Sequence, residues 1–220
     1  MSAAPPDFGP EDFARAANVS RETLSRLKAY AGLLVEWNAR HNLVSARSLD
    51  EVWRRHFLDS AQLAPLIPAE AKSLIDLGSG AGFPGLVLAI MRPELKVVLT
   101  DSIAKKSRFL EEVVARTGVS AEVRNARMES LAPARFDVVT ARACAPLDVL
   151  LTYAQRFQGP ATVNLLLKGQ SVEVELTQAR KSWRMEVVKH PSLTDPTGTI
   201  LGVRELRYAA HRPTHRQGAR

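Results

Sequence analysis

Little in this sequence can cross-link, anchor or ligate. Cys144 is the only cysteine in 220 residues, so an intrachain disulfide is impossible and a thiolate zinc site is excluded by count. No other metal site is expected, and a reducing compartment suits such a chain. No apolar run approaches the roughly 20 residues that a membrane helix needs. Residues 1–10 carry Asp7 and prolines where a signal peptide has a basic region followed by an apolar stretch. The cytoplasm is therefore the expected location, and no internal repeat or low-complexity block interrupts the chain.

What is present is enough apolar material, 45% of the residues, for one well-packed domain with a small appendage but not for two full domains. Lysine and arginine outnumber aspartate and glutamate 30 to 23, a net charge of +7. That excess suits a protein that meets a polyanion, and equally a basic surface that binds nothing. Charge alone does not choose.

The hydrophobic pattern changes near residue 70. Before it, Leu24, Leu27, Tyr30, Ala31, Leu34 and Val35 fall on one helical stripe, and Val52, Trp53, His56 and Phe57 begin another. Residues 38–47 between them are rich in caps and turn formers and read as a loop. After residue 70, short apolar runs at 74–77, 97–100, 121–123, 136–140 and 163–167 read as buried strands of a parallel sheet. Amphipathic stretches at 84–91, 102–117, 147–157 and 172–183 read as the intervening helices. Residues 185–190 and 200–208 add two strands, an antiparallel hairpin at the sheet edge. The expected fold is α/β, a doubly wound, mostly parallel seven-stranded sheet. Its expected parts are a helical extension over 1–70, a domain over 71–208 and a basic, disordered tail over 209–220 with Arg212, Arg216 and Arg220.

The first strand hands over to the first helix through Asp76-Leu77-Gly78-Ser79-Gly80-Ala81-Gly82-Phe83-Pro84-Gly85. Glycines in such a turn let the backbone approach a bound group, although a tight structural turn alone would use them too. Gly80, Gly82 and Gly85 also fit the dinucleotide fingerprint, which would make the protein a nicotinamide or flavin enzyme. Asp76 argues for another ligand. A carboxylate there is unwelcome beside a pyrophosphate but suits the ammonium of a methionine moiety, as in a phosphate-free sulfonium donor. Asp101, at the end of the second strand, stands where a carboxylate accepts from both ribose hydroxyls, or else caps the helix that follows.

Several further residues recur in order: Trp37-Asn38, His41-Asn42-Leu43, Arg55-His56, Asp59-Ser60, the 76–85 turn, Asp101-Ser102, Lys105-Lys106, Phe109-Leu110, Arg142-Ala143 and Leu167-Lys168-Gly169. Together they resemble the bacterial small-subunit rRNA guanine-N7 methyltransferases, the glucose-inhibited division protein B family. The resemblance covers about residues 37–169, with Ala81 standing where that family often has proline. It implies S-adenosylmethionine as methyl donor, and 16S rRNA or the small ribosomal particle as acceptor. Donor contacts are implied at Gly78, Phe83, Met128, Glu129 and Arg142, beside those read from the turn itself at Asp76, Gly80 and Asp101.

The chemistry agrees with what is missing. Methylating an exocyclic amine calls for an Asn or Asp followed by Pro and an aromatic after the fourth strand, and here that place reads Thr140-Ala141-Arg142-Ala143. Guanine N7 carries an in-plane lone pair and no proton, so it needs alignment and desolvation but no general base. Carbon-5 methylation of a pyrimidine would use a cysteine nucleophile, and Cys144 lies near, but a lone cysteine is more often a small buried hydrophobe. Arg54, Arg55, His56 and Lys168 are the candidate RNA contacts, with Lys105 and Lys106 near them. The ordinary alternatives are solvated charge and, for His56, an internal pair with Asp59. Arg142 is expected beside the adenosine or the acceptor RNA, and Trp37 and Trp53 in the core. Two other functions fit less of the pattern: a dinucleotide-dependent oxidoreductase, and an RNA-binding module with a vestigial donor site.

Overall fold

The computed structural model describes residues 8–142 and 144–209. The basic tail expected past Ala209 lies outside the described residues, as does Ala143. Helices α1 (Pro10–Ala17), α2 (Arg21–His41), α3 (Ala46–Asp50) and α4 (Asp59–Ala61) come first. The sheet strands follow: β1 (Ser73–Leu77), β2 (Lys96–Asp101), β3 (Ala121–Asn125), β4 (Val138–Arg142), β5 (Val163–Lys168), β6 (Trp183–Pro191) and β7 (Thr199–Tyr208). Between them run α5 (Gly85–Met91), α6 (Ala104–Thr117), α7 (Leu147–Ala154) and α8 (Val172–Ala179).

The seven strands lie in the order β3-β2-β1-β4-β5-β7-β6. The first five are parallel, and β7 runs antiparallel to both β5 and β6. Strand order reverses between β1 and β4. In such sheets the crevice outside the carboxyl ends at that reversal is where ligands bind. The hairpin read from the sequence is present, and its second strand, not its first, joins the sheet through β5.

Each face of the sheet has its own core. Leu147, Leu150 and Leu151 of α7 and Leu176 of α8 cover one face with Ile75, Val139 and Leu166. On the other, Leu86 of α5 and Phe109 and Leu110 of α6 pack with Leu74 and Leu99, and the helices that precede β1 share this core through Phe13, Leu27, Tyr30, Leu34 and Phe57. Burying such a Leu or Phe contributes about 1.5–3 kcal/mol each, so the N-terminal helices are bound to the sheet by the same force that folds it. Trp37 and Trp53 pack at the edge of this core, as their helical spacing suggested.

The expected loop over 38–47 is mostly helix. Asn38 does not break α2; its side chain turns inward and Oδ1 accepts from the Val44 N–H at 2.9 Å. The helix stops four residues later, at Asn42 in the left-handed conformation, which asparagine tolerates better than most residues. Past α3, residues Trp53–Leu58 form a π-helical turn. Such turns are rare and are frequent at functional sites, and this one carries Arg55 and His56.

Candidate active site

A cavity of about 840 Å³ opens at the carboxyl edge of β1, β2, β4 and β5, within the usual range of small-molecule sites. One side is the glycine loop with Asp101 and the Met128–Ser130 turn. The other is the π turn, the end of β5 and the turn joining β6 to β7.

The loop turns its own amides inward. Gly78 N–H donates to Thr100 Oγ1 (3.4 Å) and Ser79 N–H to the Thr100 carbonyl (2.8 Å). Gly80 N–H donates to Asp101 Oδ2 (2.9 Å), while the Gly82 and Phe83 N–H groups both donate to the Ser79 carbonyl (2.7 and 3.0 Å). Gly78, Gly80 and Gly82 take φ of 70°, 59° and 99°, values that a side chain would oppose. A dinucleotide loop must offer adjacent free amides to a pyrophosphate. In this chain three successive amides, at residues 78, 79 and 80, already have partners, and two buried carboxylates stand behind them.

Those carboxylates differ. Asp76 is fully buried and does not line the cavity. Its Oδ2 accepts from Gly85 N–H at 3.2 Å and its Oδ1 from Thr140 Oγ1 at 2.7 Å. Thr140 stands opposite it in the β1–β4 register. Burial raises the Asp76 pKa, against the hydrogen bonds that lower it. Asp76 was expected at a ligand ammonium, directly or through water; its side chain lies behind the cavity lining and braces the start of α5 beneath the loop. A Cβ on Gly85 would lie 2.5 Å from Asp76 Cβ, so the two backbones approach too closely for any other residue. Asp101 does line the cavity. Its Oδ1 accepts from Ile103 N–H at 2.8 Å, and each carboxylate oxygen keeps a second lone pair. The helix-capping reading of Asp101 is corrected: α6 starts at Ala104 behind the N-cap Ile103, which has no side-chain cap bond, and Asp101 holds the turn before the helix while its side chain lines the cavity.

Gly78, Gly80, Phe83, Met128, Glu129 and Arg142 all line the same cavity. Arg142 is the most connected. Nη1 donates to Asp59 Oδ2 and to the Arg55 carbonyl, each at 3.1 Å, and Nη2 to His56 Nδ1 at 2.8 Å. Its guanidinium sits 5.0 Å from the centre of the Phe83 ring. The expected His56–Asp59 pair is not formed, because Arg142 comes between them and bonds to both.

Of the four candidate RNA contacts, Arg54 and Arg55 are exposed, and Arg55 reaches the cavity. His56 is buried in its wall. Lys168 lines the cavity but does not present a free charge: Nζ is 2.6 Å from Glu175 Oε2 and 3.0 Å from the Ala145 carbonyl. Lys105 donates to the His41 carbonyl at 3.1 Å, and Lys106 lies 3.8 Å from Asp101. Burial pushes the Cys144 thiol up to about 11, which leaves it a poor nucleophile at neutral pH.

The roles of three residues were not foreseen. Tyr30 of α2, buried beneath the loop, donates its hydroxyl to the Ala81 carbonyl and stacks on Phe83 with centroids 5.3 Å apart. Asp59 accepts from Arg142, Gln62 and Thr194. Thr140 bonds Asp76. Tyr30 was legible only as a core position in a helical stripe, and nothing in the sequence pointed its hydroxyl at the loop. Among the described residues no group of three or more His, Cys, Asp or Glu side chains is placed to hold a metal. No described helix is long and apolar enough to cross a membrane.

Residues 23–199 match the family described as rRNA small subunit methyltransferase G. The chain is 49% identical over 207 residues to the ribosomal RNA small subunit methyltransferase G of Paramagnetospirillum magneticum, covering 94% of this chain and all of that one. It is 47% identical over 221 residues to the protein of that name from Parvibaculum lavamentivorans, covering 98% of each. Among solved structures, cofactor-bound Rv0187 from MTB superposes with a TM-score of 0.59 at 18% identity, over 92% of this chain and 98% of that one. M. jannaschii TYW2 in complex with AdoMet does so with a TM-score of 0.52 at 13% identity, over 66% and 72%. These two likenesses are of fold.

Proposed function

The chain belongs to the rRNA small subunit methyltransferase G family, and from that premise we propose that it transfers a methyl group from S-adenosylmethionine to N7 of a guanine in 16S rRNA. The acceptor is the free RNA or the small ribosomal particle, and the reaction belongs to the cytoplasm. Residues 71–208 serve as the methyl-transfer domain, and the helices before them supply the facing wall of its site.

The observation that carries this reading is the glycine loop whose amides face inward while Asp101 remains at the rim. A donor with ribose hydroxyls and no phosphate fits such a loop; a diphosphate does not. In this assignment Asp101 accepts from the ribose hydroxyls, and Gly78 and Gly80 let the donor lie against backbone. Met128 and Glu129 flank its base, Phe83 floors the cavity, and Arg142 reaches the donor with the N–H groups that its bracket leaves over. Asp76 acts beneath them by holding the loop. Bound there, S-adenosylmethionine supplies an electrophilic methyl group on sulfonium, which passes to N7 as the sulfur–carbon bond breaks, with no proton to remove.

Arg54 and Arg55 supply the exposed charge for RNA phosphates, with His56 and Lys168 deeper in the site. RNA affinity then falls steeply with salt as counterions are released. The deciding experiment is mass mapping of modified nucleosides in small-subunit RNA with and without the gene. One N7-methylguanine is expected to vanish; retention of every such mark overturns the reading. Calorimetry separates the oxidoreductase alternative, because S-adenosylhomocysteine should bind and NADH should not.

A further inference from the structure

The turn joining β6 to β7 stands across the cavity from the glycine loop, and the protein's own bonds fix it in place. Leu193 N–H donates to Gln62 Oε1 at 2.8 Å and Thr194 Oγ1 to Asp59 Oδ1 at 2.6 Å, which ties the turn to α4 and its C-cap. Inside the turn, Asp195 Oδ1 accepts from both the N–H and the hydroxyl of Thr197, each at 2.8 Å. Asp195 is exposed and lines the cavity, and among the described residues its Oδ2 has no hydrogen bond. The backbone N–H of Thr197 first, then its hydroxyl and the Arg55 charge, hold the Asp195 carboxyl below the ordinary carboxylate range. The group is therefore ionised at neutral pH, with one oxygen pinned and the other free to accept.

Most polar side chains of this wall are already committed. Arg142 is held by Asp59 and Lys168 by Glu175. Asp59 also serves Gln62 and Thr194. His56 Nδ1 takes the Arg142 contact, and an arginine can only donate. The ring proton of His56 is therefore on Nε2, an atom sealed in the wall with no partner among the described residues. Of the two carboxylates that line this wall, Asp195 is the one with an open oxygen.

We propose that Asp195 is a specificity-determining residue whose Oδ2 accepts from N1–H and the N2 amino group of the acceptor guanine. The proposal rests on the methyl-transfer reading above. N7 lies on one side of the purine and the Watson–Crick edge on the other. A base that turns N7 toward a donor at the glycine loop therefore points that edge at the opposite wall, where Asp195 stands. Guanine presents two adjacent donors there, and a single carboxylate oxygen has two lone pairs to receive them. Adenine presents a bare N1 in the same place and sets lone pair against lone pair, which a site built to receive donors penalises.

The charge of Asp195 also acts on the rate. As the N7 lone pair forms the new N–C bond, the S–C bonding pair stays with sulfur. The positive charge therefore moves from the sulfonium into the purine, and no proton leaves. A carboxylate on the far edge of the base holds the ring more tightly as it becomes cationic, so its stabilisation grows toward the transition state.

Thr197 fixes the sense of the test. In Asp195→Asn the amide oxygen keeps the two Thr197 donors, which leaves the amide NH2 at the Oδ2 position, donor against donor. Acceptor RNAs are small-subunit rRNA ligated with guanosine or with inosine, which lacks only the N2 amino group, at the nucleotide mapped as methylated. Wild-type protein should lose about 10- to 100-fold in kcat/KM from guanosine to inosine, the scale of a hydrogen bond to a charged group. Asp195→Asn should lose a similar factor on guanosine and distinguish the two RNAs by less than about threefold. Its calorimetric affinity for S-adenosylhomocysteine should stay within about threefold of wild type, because no group on the donor side is touched. Charge alone predicts the opposite sign, since removing an acid from a wall that faces a polyanion should strengthen RNA binding. Wild-type protein equally active on both RNAs overturns the proposal. So does an Asn variant that matches wild type on guanosine, keeps the wild-type preference, or loses donor affinity in step with turnover. If the Asn variant does not fold, Asp195→Ala carries the test: it should lose the preference for guanosine, and retention of that preference overturns the proposal. Wild-type protein that methylates neither RNA, with no mark missing in the deletion strain, sinks the methyl-transfer reading itself and this inference with it.

Discussion

The glycine loop and the Arg142 bracket face one cavity and are held in opposite ways. The loop is held mainly by backbone groups of residues 76–85 and by Thr100 and Asp101, about one strand away in the chain. The bracket joins residues 83 to 87 positions apart, from the Arg142 side chain of β4 to the Arg55 carbonyl and His56 side chain of the π turn and the Asp59 side chain of α4. A loop of the first kind fails when its backbone is crowded. A bracket of the second kind fails when any one of its elements shifts or any one charge is lost.

The sharpest way to break the loop is Gly82→Ala. Its φ of 99° is hostile to a side chain and the new Cβ would collide with the Tyr30 hydroxyl beneath it. Strain and overpacking together are expected to remove about 3 kcal/mol or more, read as a lower urea midpoint. Asp76→Ala against Asp101→Ala sharpens the contrast between bracing and contact. Asp76→Ala strands the Gly85 amide and the Thr140 hydroxyl in the core and should cost about 2–4 kcal/mol of stability. Asp101→Ala should instead weaken donor binding by about 1–3 kcal/mol in calorimetry. Equal losses of donor affinity in the two variants would refute the division drawn here between them.

The bracket is tested by acid. His56 titrates near 3 in the folded protein and near 6.5 in an unfolded chain. The unfolded state therefore binds the proton more tightly in that window. The stability that neutral His56 contributes is complete above about pH 6.5 and declines as pH falls toward 3, by at most about 1.4 kcal/mol per pH unit. Urea unfolding of wild type and His56→Asn from pH 7 to 4 should show the wild type losing stability faster; parallel curves would break the assignment. The smallest effect is expected at Cys144. With its thiol near 11, Cys144→Ala should leave turnover within about threefold, and a dead enzyme would revive the nucleophile reading.

The two regions also differ in how far they could be read in advance. Apolar runs located every strand of the sheet to within about two residues, and in β1, β2, β4 and β5 the reason is that a buried parallel strand leaves a continuous signature; β3, expected to be buried, has no fully buried residue, and β6 and β7 pair antiparallel. The 76–85 turn was legible because its glycines and the helix that follows are contiguous. Asp76 was read as a ligand contact because a strand-end carboxylate beside a glycine turn has two inward directions open to it. Only its neighbour across the register, Thr140, shows which one it takes. Asn38 was read as a turn former, and its burial against Val44 let α2 run on. His56 and Asp59 are one helical step apart, which suggested a pair, whereas the arginine that separates them arrives from more than 80 residues away.

Hydrophobic periodicity and glycine placement, written along the chain, determined the parallel sheet, the helices between its strands, and the edge where the crevice opens. These depend on neighbours in sequence and need no partner to be seen. Tertiary packing alone decided which carboxylate is sealed and which is exposed to the cavity, which cations are already neutralised, and that one imidazole is left with a proton and no partner. Those outcomes depend on charges and lone pairs brought together from distant segments, and a side chain's chemistry is set by what it touches.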